Sequence, residues 1–218
     1  MSFPVKSITL AAFLMTLAIP QAKADIFVWR DPDSKLTLSY PDTWRQVHNQ
    51  KPDDVVTIAA PGDNDFATCR VRVSEDRRFV IYPRHFAGEI QRVNYSRDFW
   101  ENYVGEFSGA EINGVWDNAG LGDGFASFAD VSFVSSTGPK MQKRGLMFAT
   151  VYNDKAYIAE CSSETGSYAN WYKPFLSFVK SVDFRDEYVA NPNGEYRDFY
   201  SDKPLRIRGR KDTDLYTY

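Results

Sequence analysis

Histidine and cysteine are scarce in this chain, with two of each among 218 residues. There is no Cys-x-x-C pair, no His-x-x-x-His and no Gly-x-Ser-x-Gly elbow, so the sequence offers no ready zinc site, dithiol centre or serine-hydrolase nucleophile. Charge of one sign is missing too. Lys and Arg number 26 against 29 Asp and Glu, a net charge of −3, which gives no electrostatic reason for nucleic-acid binding. Apolar runs long enough to cross a bilayer are also missing. The longest, residues 8–19, has twelve residues, where a spanning helix needs roughly twenty. What the chain has in quantity is aromatic residues, 16% of the total with 13 Tyr, 16 Phe and 5 Trp. Such side chains favour half-buried sheets and carry much apolar area each.

The twelve-residue run follows a single charge, Lys6, and precedes Ala22-Lys23-Ala24, the small-x-small pattern of a signal-peptide cleavage site. Residues 1–24 are therefore expected to be a cleaved export signal, with Asp25 as the new N-terminus; retention as a membrane anchor is the competing reading. Loss of Lys6 and Lys23 leaves 24 basic and 29 acidic residues, a net charge of −5. Export predicts a periplasmic or secreted protein with no transmembrane segment after cleavage. In that oxidising setting Cys69 and Cys161 are expected to form a disulfide, the alternative being two separate buried thiols. Both sit in alternating runs, with Cys69 beside Val71 and Val73, and Cys161 beside Ala159 and Tyr157, on the less polar face.

Turn-bounded strands are predicted at 26–29, 36–40, 44–47, 55–59 and 67–73, an antiparallel meander. Phe86, Ile90, Val93, Trp100, Val104 and Phe107 then recur at helical spacing, read as one helix or as two broken near Asn94-Tyr95, with Ser96 as N-cap and Gly109 just past the end. Strands resume at 114–116, 124–134, 141–152 and 156–161. Trp171, Phe175, Phe178, Val179 and Val182 share a face of a last helix, with Pro174 expected in its first turn or as a kink. The order strands, helix, strands, helix is that of an α+β domain over residues 25–184. No internal repeat is present. Residues 185–218 hold seven basic and seven acidic residues and five Tyr. They form a charged, tyrosine-rich C-terminal tail, either solvated or reaching a partner or an anionic membrane surface through Tyr196, Tyr200, Lys203, Arg206, Arg208 and Arg210.

The run Leu36-Thr37-Leu38-Ser39-Tyr40-Pro41-Asp42-Thr43-Trp44 resembles the strand, Tyr-Pro, turn, Trp opening of the PsbP/DcrB-like family. Tyr152-Asn153-Asp154-Lys155-Ala156-Tyr157 is similar to its late hairpin, and Ser181-Val182-Asp183-Phe184 to its closing element. The resemblance covers about residues 26–184. It implies a central antiparallel sheet flanked by helices, an α/β/α sandwich, and an accessory or ligand-contact role without a shared catalytic motif, so no catalytic residue is carried over. The tail lies outside it.

Candidate chemistry is thin. His48 and His85 read as surface residues. Asp63-Asn64-Asp65 and Asp117-Asn118 with Asp123 lack calcium-loop spacing and read as turns. The glycines of 120–124 precede an alternating strand, not a helix, which makes them a hairpin loop and not a phosphate cradle. Asn94-Tyr95-Ser96 matches a glycosylation acceptor but falls in a helical segment. Arg70 and Arg72, with Arg77, Arg78, Tyr82 and Arg84, form a basic-aromatic stretch: an anion-facing partner contact, or a solvated face paired with Glu75 and Asp76. The expected function is that of an exported, non-catalytic accessory protein contacting another envelope protein. The alternative is a small-molecule or lipid-binding module with an apolar pocket between helix and sheet; a hydrolase is less favoured. No metal or cofactor is expected.

Overall fold

The computed structural model describes residues 25–62, 65–78, 81–82, 86–122, 124–136, 138–152 and 155–184. Residues 1–24, expected to be an export signal, and residues 185–218, with Tyr196, Tyr200, Lys203, Arg206, Arg208 and Arg210, lie outside the described residues, as do His85, Arg84, Asp63, Asn64 and Asp123.

Among the described residues the fold is mainly antiparallel sheet with three helices. Strands β1 (Ile26–Asp31), β2 (Leu36–Pro41), β3 (Arg45–Val47), β4 (Asp54–Ala59) and β5 (Thr68–Glu75) are followed by α1 (Ala87–Asn94) and α2 (Arg97–Val104). Then come β6 (Ser108–Leu121), β7 (Gly124–Val134), β8 (Gln142–Tyr152), β9 (Lys155–Glu164), α3 (Tyr168–Ser181) and β10 (Asp183–Phe184). The large sheet has the order β3-β4-β5-β9-β8-β7-β6, and β1-β2-β10 make a second, three-stranded sheet. The expected early meander is thus divided between two sheets. Pro41, which cannot donate to a ladder, ends β2, and Trp44 sits in the turn with its N–H on the Pro41 carbonyl at 2.9 Å. Its indole, 7% exposed, meets Trp171 of α3 edge-on at 5.8 Å.

Alternation along β8 sorts the core into two clusters. Leu146 and Phe148 pack with Phe175, Phe178 and Val179 of α3 and with Leu36 and Leu38 of β2. Met147, Ala149 and Val151 pack with Trp100 and Val104 of α2. Since neighbouring side chains of a strand point to opposite faces, α3 with the small sheet lies on one face of the large sheet and α2 on the other.

The helix break falls where the spacing placed it. Tyr95 is buried and its carbonyl accepts from Ser127 Oγ at 2.7 Å, while Trp100 Nε1 donates to that Ser127 hydroxyl at 2.8 Å. Ser96 occupies the N-cap position of α2, with no side-chain cap bond. Gly109 belongs to the first residues of β6, not to a helix end, because α2 stops at Val104 with Gly105 as its cap. β6 runs far beyond 114–116 through three register shifts, which obscure its alternation in the sequence. Pro174 lies inside α3 and not in its first turn, because the helix starts earlier, at Tyr168. Glu164 sets that start by accepting from Ser167 N at 3.0 Å through its carboxylate.

Cys69 and Cys161 are bridged. They are directly opposed in the β5–β9 ladder, and both are buried on the α3 face.

Candidate functional site

Because Cys69 and Val71 turn toward α3, Arg70 and Arg72 must turn toward α2. The register Cys69↔Cys161 also places Arg70 opposite Glu160. Arg70 Nη2 donates to Glu160 Oε2 at 2.8 Å, and Asp54 Oδ2 lies 3.8 Å from Arg70 Nη1. Arg72 Nε donates to Asp53 Oδ2 at 2.9 Å, and its Nη1 donates to the Tyr103 hydroxyl at 2.7 Å. That hydroxyl donates in turn to Glu160 Oε1 in a short hydrogen bond. The two guanidinium groups also lie over rings of the α2 region, Arg72 over Tyr103 at 5.2 Å and Arg70 over Phe107 at 5.9 Å. At the rim, Lys51 pairs with Glu106.

Burial is deep: the side chains of Arg70, Arg72, Glu160 and Asp54 are 14%, 10%, 7% and 0% exposed. Asp54 Oδ2 accepts the backbone N–H groups of Gln50 and Lys51 at 3.1 and 2.9 Å, tying the β3–β4 turn to the cluster. Its Oδ1 has no hydrogen bond and sits 3.7 Å from Arg72 Nε. Burial and the adjacent Glu160 charge push the Tyr103 phenol well above the usual tyrosine range. Burial opposes the charge on Arg72, but Tyr103, Asp53 and Glu160 outweigh it and hold the guanidinium protonated. The cluster combines two cations with three carboxylates, and its hydrogen bonds close on one another. Such a set fixes the relative placement of β4, β5, β9 and α2.

A second pair lies on the α3 face. Arg144 grips Asp130 bidentately at 2.9 and 2.8 Å, Asn113 Nδ2 donates to Asp130 at 2.9 Å, and the guanidinium lies 4.8 Å over the Tyr168 ring. Burial, then the Asp130 charge, raises the Tyr168 phenol. Lys143 Nζ donates to the Phe66 carbonyl at 3.0 Å, and burial with the nearby Arg70 charge lowers its pKa.

Arg70 and Arg72 are thus held by Glu160, Asp53 and Asp54, and not by Glu75 and Asp76. Asp76 pairs with Arg78 at 2.8 and 2.6 Å, while Glu75 faces Arg77 at 3.8 Å in an exposed pair. Tyr82 and His48 are exposed. Asp65 has a structural part, accepting from Trp171 Nε1 at 3.0 Å. The 120–124 glycines form the β6–β7 hairpin, as the alternation predicted, with Gly122 at φ +59° and a Cβ there meeting the Phe184 ring at 2.5 Å. Among the described residues no group of three or more His, Cys, Asp or Glu is placed to hold a metal. The space between α3 and the sheet is filled by Phe175, Phe178, Val179 and Val182, all buried. Asp53, Asp54, Tyr103 and Glu106 were not singled out from the sequence, nor was Glu160; the disulfide register alone would have found Glu160.

No family model matches the chain, and no curated protein matches it by sequence. Solved structures do. The chain is similar to cyanobacterial PsbP (CyanoP) from Synechocystis sp. PCC 6803, at 15% identity and TM-score 0.47, over 76% of this chain and 96% of that one. It is also similar to LpqN, involved in cell envelope biogenesis of Mycobacterium tuberculosis, at 14% identity and TM-score 0.47, over 74% and 91%. The Ran-binding protein Mog1p of Saccharomyces cerevisiae matches at 9% identity and TM-score 0.43, over 75% and 97%.

Proposed function

We propose that this is an exported, non-catalytic accessory protein of the bacterial cell envelope, an α/β/α sandwich of PsbP/DcrB-like type that acts by contacting another protein. The observation that carries the reading is the closed ion-pair cluster on the α2 face. Arg70 and Arg72, the residues best suited by type to grip an anionic substrate, are buried and committed to Glu160, Asp53 and Asp54. The Cys69–Cys161 bridge supports an oxidising compartment, periplasmic or extracellular. Partner contact is assigned to the tail, through Tyr196, Tyr200, Lys203, Arg206, Arg208 and Arg210, whose aromatic and guanidinium groups are of the kind enriched at interfaces.

Crosslinking in the intact envelope tests this, comparing the full chain with a chain ending at Phe184. Discrete protein adducts to the full chain that disappear on truncation are expected. Adducts unchanged by truncation remove the tail from the contact, and no protein adduct to either chain overturns the reading.

A further inference from the structure

Each of the two sheets ends in two edge strands, and among the described residues one of these edges lacks the features that block pairing. The large sheet ends on one side in β6, whose ladder is broken by three register shifts, and on the other in β3, which has only Arg45, Gln46 and Val47. In the small sheet β10 is two residues long. Bulges, polar residues and shortness are the usual means by which an edge is kept from pairing with another chain. β1 differs on each count. Its six residues pair with β2 in unbroken register, and Ile26, Phe27 and Val28 are 70%, 51% and 52% exposed.

The register decides which backbone groups of β1 face outward. The Asp25 carbonyl accepts the Asp42 N–H at 2.9 Å, so alternate residues from Asp25 onward direct their polar groups to β2. Ile26 lies opposite Pro41, which has no N–H and whose carbonyl accepts from Trp44 at 2.9 Å. The N–H and C=O groups of Ile26, Val28 and Arg30 therefore point away from β2, along an edge with no further strand among the described residues. A row of alternating donors and acceptors is matched by an extended backbone. This row is spaced evenly about Val28. A second β1 laid antiparallel, with the two Val28 residues opposed, sets Ile26 opposite Arg30 of the second copy. Every outward N–H of one copy then meets an outward C=O of the other. The same register brings Phe27, half exposed beside Tyr40, against Trp29 of the second copy at the closer, non-hydrogen-bonded positions, where aromatic pairs are favourable.

We propose that β1 is the self-association edge of this protein: two copies join antiparallel about Val28 and make one continuous sheet from their two small ones. The contact is isologous, because the same strand is its own complement. It is also weak. One short strand covers less than the roughly 1,000 Å² expected of a firm complex, and Asp25 comes opposite Asp31 of the second copy, a like-charge pair at each end. A dissociation constant on the order of 0.1 mM is expected. The contact is built from β1 alone and does not depend on the accessory-protein reading.

The test is sedimentation equilibrium of the purified protein, without any other protein, from about 5 μM to about 1 mM. Wild type is expected to pass from monomer to dimer across that range. Val28→Pro removes an outward N–H and leaves the β1–β2 ladder intact, and Val28→Lys puts a charge at the centre of the edge. Each is expected to weaken association at least about ten-fold, with near-UV circular dichroism showing that the variant is folded. Register is read by mild oxidation of two further variants that keep the Cys69–Cys161 bridge. Val28→Cys should link to its own copy, because directly opposed residues lie about 5.5 Å apart at Cα, within disulfide reach. Ile26→Cys should not, because its counterpart lies about four residues away along the strand, roughly 13 Å. A monomer at every concentration, undiminished association of either folded Val28 variant, or Val28→Cys dimers no more abundant than Ile26→Cys dimers overturns the proposal. The protein-partner reading stands or falls separately, on the crosslinking result.

Discussion

Arg70 and Glu160 face each other across β5 and β9, one register step from the Cys69–Cys161 bridge, with Nη2 and Oε2 2.8 Å apart. A covalent link on one face of the ladder and an ion pair on the other join the two halves of the sheet. β5 closes the first run of strands and β9 the second, with α1, α2 and β6 to β8 between them.

Removing the covalent link should be costly. Closing 92 residues takes out loop entropy worth about 4–5 kcal/mol in chain models, with measured effects commonly about 2–5 kcal/mol. Cys69→Ala with Cys161→Ala is expected to lower the denaturant midpoint accordingly, and dithiothreitol to do the same to wild type only. Equal midpoints with and without reductant contradict this.

Truncating one partner of the ion pair strands a buried charge. Glu160→Ala is predicted to cost about 3–5 kcal/mol, as for other broken buried pairs. Replacing both partners, Arg70→Met with Glu160→Leu, should recover most of that loss, because no lone guanidinium remains. Urea melts of the single and double variants give the comparison; a double variant as unstable as Glu160→Ala would show that the pair matters for more than mutual neutralisation.

Tyr103 sets an alkaline limit. Its phenol ionises only well above the ordinary value of 10.0, owing to burial and then Glu160. A group whose folded pKa is raised contributes stability that is full below the unfolded value and is lost as pH rises above it. Stability is therefore expected to fall above about pH 10, with the phenolate absorbance of this residue appearing only on unfolding. Tyr103→Phe, which keeps the ring under Arg72, should flatten that decline; an unchanged alkaline profile would point to Tyr168 or another group.

Gly122 is predicted to tolerate no side chain. A Cβ at φ +59° is strained, and it would meet the Phe184 ring at 2.5 Å. Gly122→Ala is expected to cost more than about 1 kcal/mol. Adding Phe184→Leu should relieve the collision and leave only the backbone share, a separation that thermal melts of both variants can read.

Alternation and turn residues made β7 legible to the residue, and helical spacing located the break at Tyr95. β6 was harder to read, because Asn113, Gly114 and Asp117 interrupt its pattern and its three bulges move the phase of the alternation. The early start of α3 was hidden because Glu164 and Ser167 form the turn before it through their own side chains. The opposite orientation of Arg70 and Cys69 followed from period two, so the face was known. Its partners were not: Asp53 and Asp54 follow Pro52 and look like turn residues, and Tyr103 looks like one more apolar position on α2. Only long-range packing brings them to the arginines, and local pattern carries no record of it.

The seam between β5 and β9 also governs timing. The first run of strands keeps an unpaired edge at β5 until residues 155–164 have been made, about ninety residues after β5 itself. Sheets closed by such distant pairings assemble slowly. The large sheet of such a chain cannot be completed until most of it has been synthesised, and the β5 edge waits longest for its partner.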